Sequence, residues 1–153
     1  MRQLACLILL AALPLSACGP SKEQVATDKA QIKATLDQYL PKLAVAYSAS
    51  DLNGLKGYAA EKEIAAVRKR VEDIASQGRH LVPTFHSLAI EKIVVWGYAN
   101  AYVTTVEVWD LKIYAAGTST VLSQELGKST RARYQLKKDH GHWLILFRTI
   151  VQS

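Results

Sequence analysis

Cysteine, proline and methionine are scarce in this 153-residue chain, with two, four and one respectively. Both cysteines, Cys6 and Cys18, fall within the first eighteen residues. The remainder therefore has no thiol for a disulfide framework, a thiolate metal site or a cysteine nucleophile. Four prolines and eight glycines exclude collagen-like and low-complexity chains. Charged residues make up only 21% and hydrophobic residues 50%, which excludes a disordered chain. The longest apolar run, Leu4 to Leu13, is shorter than the roughly 20 residues that cross a bilayer. No internal repeat divides the chain, and at about 150 residues a single core buries roughly 68–70% of the unfolded surface without staples.

The N-terminal layout is informative. Met1-Arg2-Gln3 supplies a positive charge, and the apolar run that follows has the length of a secretory signal. Leu15-Ser16-Ala17-Cys18 resembles a bacterial lipobox, in which small residues admit the peptidase and the cysteine thiol takes up diacylglycerol. That resemblance implies a signal peptide over 1–17, a lipidated tether over 18–24 and one domain over 25–153. Acylated Cys18 would then hold the protein to a lipid bilayer, since two or more chains anchor stably. Gly19 after the cysteine is similar to the signal for outer-membrane sorting, facing the periplasm. The net charge of +6 either aids docking on anionic lipid, at about 1 kcal/mol per nearby cation, or is scattered solvated surface. Arg68-Lys69-Arg70 has no aromatic platform beside it, so no nucleic-acid partner is expected.

The apolar period is helical at first. Ile32, Leu36, Tyr39, Leu43 and Tyr47 recur at three- and four-residue steps, predicting an amphipathic helix over 21–48. Pro41 is expected to kink or break it. Ser50 or Asp51 is placed to cap a short helix or turn over 51–59. Ile64, Val67, Val71 and Ile74 predict a second helix over 61–77, with Glu61 and Glu63 in its first turn and Gly78 ending it. After Pro83 the period becomes two. Strands are expected over 84–96, 100–114, 118–138 and 142–151, and the short gaps imply an antiparallel meander. The fold class is α+β, with N-terminal helices packed in the concave face of a curved antiparallel sheet of about four strands, a cone.

Two segments carry a family resemblance. Ala46-Tyr47-Ser48-Ala49-Ser50-Asp51-Leu52-Asn53-Gly54-Leu55 resembles the corner between the first helices of the cystatin-like cone superfamily. Arg133 to Ile145, with Lys137, Gly141 and Trp143, resembles its last hairpin. The superfamily includes nuclear transport factor two, ketosteroid isomerase and polyketide cyclases. Thr105-Val106-Glu107-Val108-Trp109 with Tyr114, Tyr134 and Trp143 is also similar to the IMS-type domain of plastid-division and cyanobacterial proteins. Fold in this superfamily does not fix function.

Glu107 is the leading candidate site residue, because alternation aligns it with Ala101, Val103, Thr105, Trp109 and Leu111. A carboxylate in that row is either at a cavity mouth or buried and paired. Arg131 and Arg133 are the expected cross-strand partners, and Trp109 and Tyr134 complete a set that binds a ligand or partner. An ion pair fixing strand register is the favoured account of Glu107, ahead of a ligand-recognising or general-base carboxylate. Asp139-His140-Gly141-His142 reads as a tight turn, so no metal is expected there, and His80 and His86 read as polar surface residues. Enolate chemistry of the family's enzymes needs a carboxylate base with tyrosine or protonated aspartate donors. Tyr39, Tyr47, Tyr58, Asp51 and Asp110 do not converge on Glu107 by pattern.

In the last strand, Trp143, Ile145, Phe147 and Val151 alternate with Leu144, Leu146, Arg148 and Ile150. Two apolar rows suggest that the outer sheet face is covered by a second copy or an envelope protein, or by the chain's own helix or tail. The expected protein is a periplasm-facing outer-membrane lipoprotein whose cone binds a partner or a small apolar ligand, without a cofactor. The alternative is a small isomerase, dehydratase or cyclase using Glu107.

Overall fold

The computed structural model describes residues 19–151. The expected signal segment and Cys18 lie outside the described residues. Helix α1 (Lys22–Ala49) is followed by a short 3-10 turn (Asn53–Leu55) and helix α2 (Glu61–Ser76). Strands β1 (Arg79–Trp96), β2 (Asn100–Ala115), β3 (Val121–Asp139) and β4 (His142–Val151) form one antiparallel sheet in the order of the sequence. The fold is the α+β cone expected from the pattern, with both helices against the concave face.

Helix α1 starts where the Ser21 hydroxyl accepts the Gln24 N–H at 3.1 Å. Its buried stripe of Ile32, Leu36, Tyr39, Leu40, Leu43 and Ala46 follows the expected period and extends one turn earlier, to Asp28. Pro41 does not break it; the helix continues to Ala49. Its exposed position keeps the ring out of the packed stripe, and burial of the flanking residues holds the helix together despite the missing bond to Asp37. Pro41→Ala is therefore expected to raise the unfolding free energy by about 1–3 kcal/mol. An unchanged or lower denaturation midpoint would show that the proline geometry is required.

Ser50 ends α1 in a left-handed conformation rather than capping the next element. Asp51 does not cap it either: Leu52 is the N-cap, and Asp51, one residue earlier, accepts the Asn53 backbone N–H at 2.9 Å in an Asx turn. Strand β1 begins at Arg79, earlier than expected, and runs through Pro83. An edge strand has one unpaired side, so a proline there need not remove a ladder bond. Register shifts at Phe85/Ser87, Ile90/Lys92, Trp109/Leu111, Ile113/Tyr114 and Gln135/Leu136 interrupt the ladders, and such bulges bend the strands around the helices. The Asp139–His142 segment is the expected tight turn, with positive φ at His140 and Gly141 and both histidines exposed.

One of these shifts changes the face of β4. Gln135 pairs with Phe147 and Leu136 with Ile145, so Leu146 is the extra residue. Trp143 and Ile145 point into the core before it, whereas Arg148, paired with Tyr134, does so after it. The uninterrupted alternation expected for β4 is therefore incorrect. Part of its double apolar pattern reflects this switch rather than an outer cover.

Candidate functional site

Core-facing positions on β2 and β3 place Ala101, Val103, Thr105, Glu107 and Trp109 beside Ala132, Tyr134 and Leu136, all buried. Glu107 lies in the middle of that surface with no solvent exposure. A buried carboxylate needs donors, and five groups surround this one. Trp109 Nε1 donates to Oε2 at 2.8 Å, and Arg148 Nη2 reaches the same oxygen at 2.5 Å. On Oε1, Tyr134 donates its hydroxyl, Thr105 Oγ1 lies at 3.2 Å and Arg148 Nε at 3.4 Å. Arg148 Nε also donates to the Tyr134 hydroxyl oxygen at 3.0 Å. A carboxylate has about four lone-pair sites, so Glu107 is saturated.

The predicted set is only partly assembled. Trp109 and Tyr134 meet Glu107, but Arg131 and Arg133 do not. Glu107 stands opposite Thr130, which puts the even-numbered residues of β3 on its face and the two arginines on the other. Arg131 instead pairs with Glu91 at 2.8 Å, and Arg133 is exposed. The partner supplied in their place is Arg148, which plain alternation assigns to the wrong face because it does not register the bulge.

A second buried carboxylate adjoins the first. Glu63 accepts the Tyr39 hydroxyl at 2.9 Å and the Arg148 backbone N–H at 3.1 Å, while the Tyr39 and Tyr134 rings meet edge-on at 6.5 Å. Sequence reasoning put Glu63 in the first turn for its charge. A better signal was its place four residues before buried Val67, on the stripe itself. Burial pushes the Glu63 carboxyl above its ordinary value, against the opposing hydrogen bonds from Arg148 and Tyr39. Burial likewise drives the Tyr39 and Tyr134 phenols well above theirs, so both remain donors at neutral pH. Burial lowers the Arg148 value, but Tyr134 and Glu107 outweigh it and hold the guanidinium charged.

Beside this network opens a pocket of about 240 Å³, walled by Leu43, Tyr47, Leu81, Pro83, Leu111 and Ile150. Trp109, Thr130, Lys128 and Arg148 complete its lining. The pocket is thus mostly apolar, with cationic groups at one side. Asp110 faces away from it, accepting the Gly127 N–H at 2.7 Å and pairing with His86 at 2.9 Å. The Gly127 hydrogen bond, followed by that from His86, holds the Asp110 carboxyl below its usual range. Asp51 is occupied by the backbone and side-chain amides of Asn53. Among the described residues, no three of His, Cys, Asp or Glu come together as a metal set.

Residues 42–146, more than half of the chain, match the family described as ARC6-like, IMS domain. The chain belongs to that family. Among solved structures, this IMS domain is similar to the intermembrane space region of chloroplast protein ARC6, with 12% identity over 88% of this chain and 100% of that one, at TM-score 0.67. It is also similar to an NTF2-like protein with a cystatin-like fold from Novosphingobium aromaticivorans, at 13% identity, 84% coverage of each chain and TM-score 0.52. A ketosteroid isomerase-like protein from Erwinia carotovora matches at 12% identity over 81% of this chain and 96% of that one, at TM-score 0.51. At these identities the likeness is one of fold. No curated protein matches the chain.

Proposed function

We propose that this IMS domain is a binding module of the bacterial envelope, held by acylated Cys18 at the outer membrane and facing the periplasm. Its pocket over Trp109 and Arg148 takes an apolar group, from a partner protein or a small ligand. The observation that carries the reading is the saturation of Glu107 beside an open apolar cavity. A general base must have a free lone pair for the substrate proton. Here the carboxylate is engaged by Tyr134, Trp109 and Arg148, so the isomerase-like alternative would have to dismantle the network at each turnover. The similarity to the intermembrane space region of chloroplast protein ARC6 supports a domain working between membranes.

The probe 8-anilino-1-naphthalenesulfonate tests the pocket. A saturable, single-site rise in its emission is expected with the native protein and should be lost in Thr130→Trp, which fills the cavity. No rise, or a rise indifferent to that substitution, contradicts the reading. Labelled palmitate should appear on the protein and vanish in Cys18→Ser.

A further inference from the structure

One end of the molecule gathers three features. The turn between β1 and β2 and the turn between β3 and β4 lie there, tied together by the Lys138 N–H donating to the Ala99 carbonyl at 2.8 Å. Lys138 Nζ reaches Asp28 in the first part of α1 at 2.6 Å, so the start of that helix lies at the same end. Cys18 precedes Lys22 by four residues, a reach of at most about 14 Å.

The outer face of the sheet near this end is aromatic and cationic. Trp96 and Tyr102 stack at 4.5 Å with an interplanar angle of 20°, and Trp96, Tyr98, Tyr102 and Val94 are 38%, 59%, 52% and 40% exposed. Lys92 and Arg133 line a groove of about 350 Å³ with Val94 and Tyr102, and Lys137 faces Asn100 across the ladder. Among the described residues these three cations form no ion pair. Rings with a polar edge concentrate at the headgroup layer, and cations beside them are drawn to anionic lipid.

We propose that this rim, formed by Trp96, Tyr98 and Tyr102 with Lys92, Arg133 and Lys137, docks on an anionic phospholipid surface. The proposal rests on the lipid anchor of the preceding reading, which would bring this end to the bilayer. Charge argues against a second copy as the occupant, since a two-fold contact opposes each patch to itself and would bring like cations together.

Trp109 and Trp143 are buried, so Trp96 is the exposed reporter among the three tryptophans. The mature protein is reconstituted into phosphatidylcholine–phosphatidylglycerol vesicles whose acyl chains are brominated. Quenching of tryptophan emission is expected, with its loss in Trp96→Phe and a marked reduction when Lys92, Arg133 and Lys137 are changed to Gln. Unquenched emission in protein whose mass shows acylated Cys18 overturns docking and leaves the anchor standing. If the mass shows no acyl chain, the anchor fails. Quenching on mixing that protein with the vesicles still supports docking, and its absence overturns it. Disulfide dimers of Tyr102→Cys in place of quenching overturn it in favour of a second copy.

Discussion

Arg148→Met is expected to lower the unfolding free energy by about 3–5 kcal/mol, the usual loss when one member of a buried ion pair is removed. The substitution leaves Glu107 fully buried with only Trp109, Tyr134 and Thr105 as donors. Tyr134 loses the guanidinium that donates to its own oxygen. Methionine matches the aliphatic stem, so packing is nearly kept and the loss measures the stranded charge. Adding Glu107→Gln to this variant should be far less harmful than either single change suggests, because the charge is then gone. Chemical denaturation of the four proteins gives the cycle. Additive losses would mean that the two side chains do not act as a pair.

Lys138→Met should cost about 3 kcal/mol at neutral pH. Asp28 is buried on α1, and Lys138 ties it to the sheet at 2.6 Å, helped by Trp143 Nε1 at 3.3 Å and Gln24 Nε2 at 3.2 Å. Burial raises the Asp28 carboxyl, but hydrogen bonds led by that from Lys138 outweigh it and hold the value below normal. A lowered folded-state value stabilises above the unfolded carboxylate range and loses that contribution as pH falls through the folded value. Without Lys138 the largest of those opposing hydrogen bonds is gone, so the folded-state value rises and less stability is lost on acidification. The stability gap between the two proteins should therefore hold from pH 7 to about 5 and narrow as pH falls below the ordinary aspartate value of 3.8. A gap independent of pH would assign the loss to packing of the lysine stem over Trp143.

The elements and the layer order were legible because period and turn residues agree. Ile32 through Leu43 could only face a core, and the strands after Pro83 follow one another too closely for anything but a meander. The site was half legible. Glu107 and Trp109 share a face by parity, and that parity survives because no register shift falls between Ala101 and Trp109. Arg148 was not legible, because the extra residue at Leu146 leaves no mark in an apolar run and reverses every position after it. Arg131 and Arg133 failed for a related reason. Their shared face was evident, but which face it was depended on the register with β2. Asp28 and Glu63 lay on their helices' buried stripes, and their charge disguised them as surface residues.

The substitution Glu107→Gln tests the account most directly, since it separates a structural carboxylate from a working one. An amide has an N–H group where Glu107 offers only acceptors, and here it would meet the donors of Trp109, Tyr134 or Arg148. Equilibrium denaturation should show a loss of about 3 kcal/mol relative to the native protein. Unchanged stability would mean that the carboxylate is not locked in its pair and is free to do chemistry in the cone.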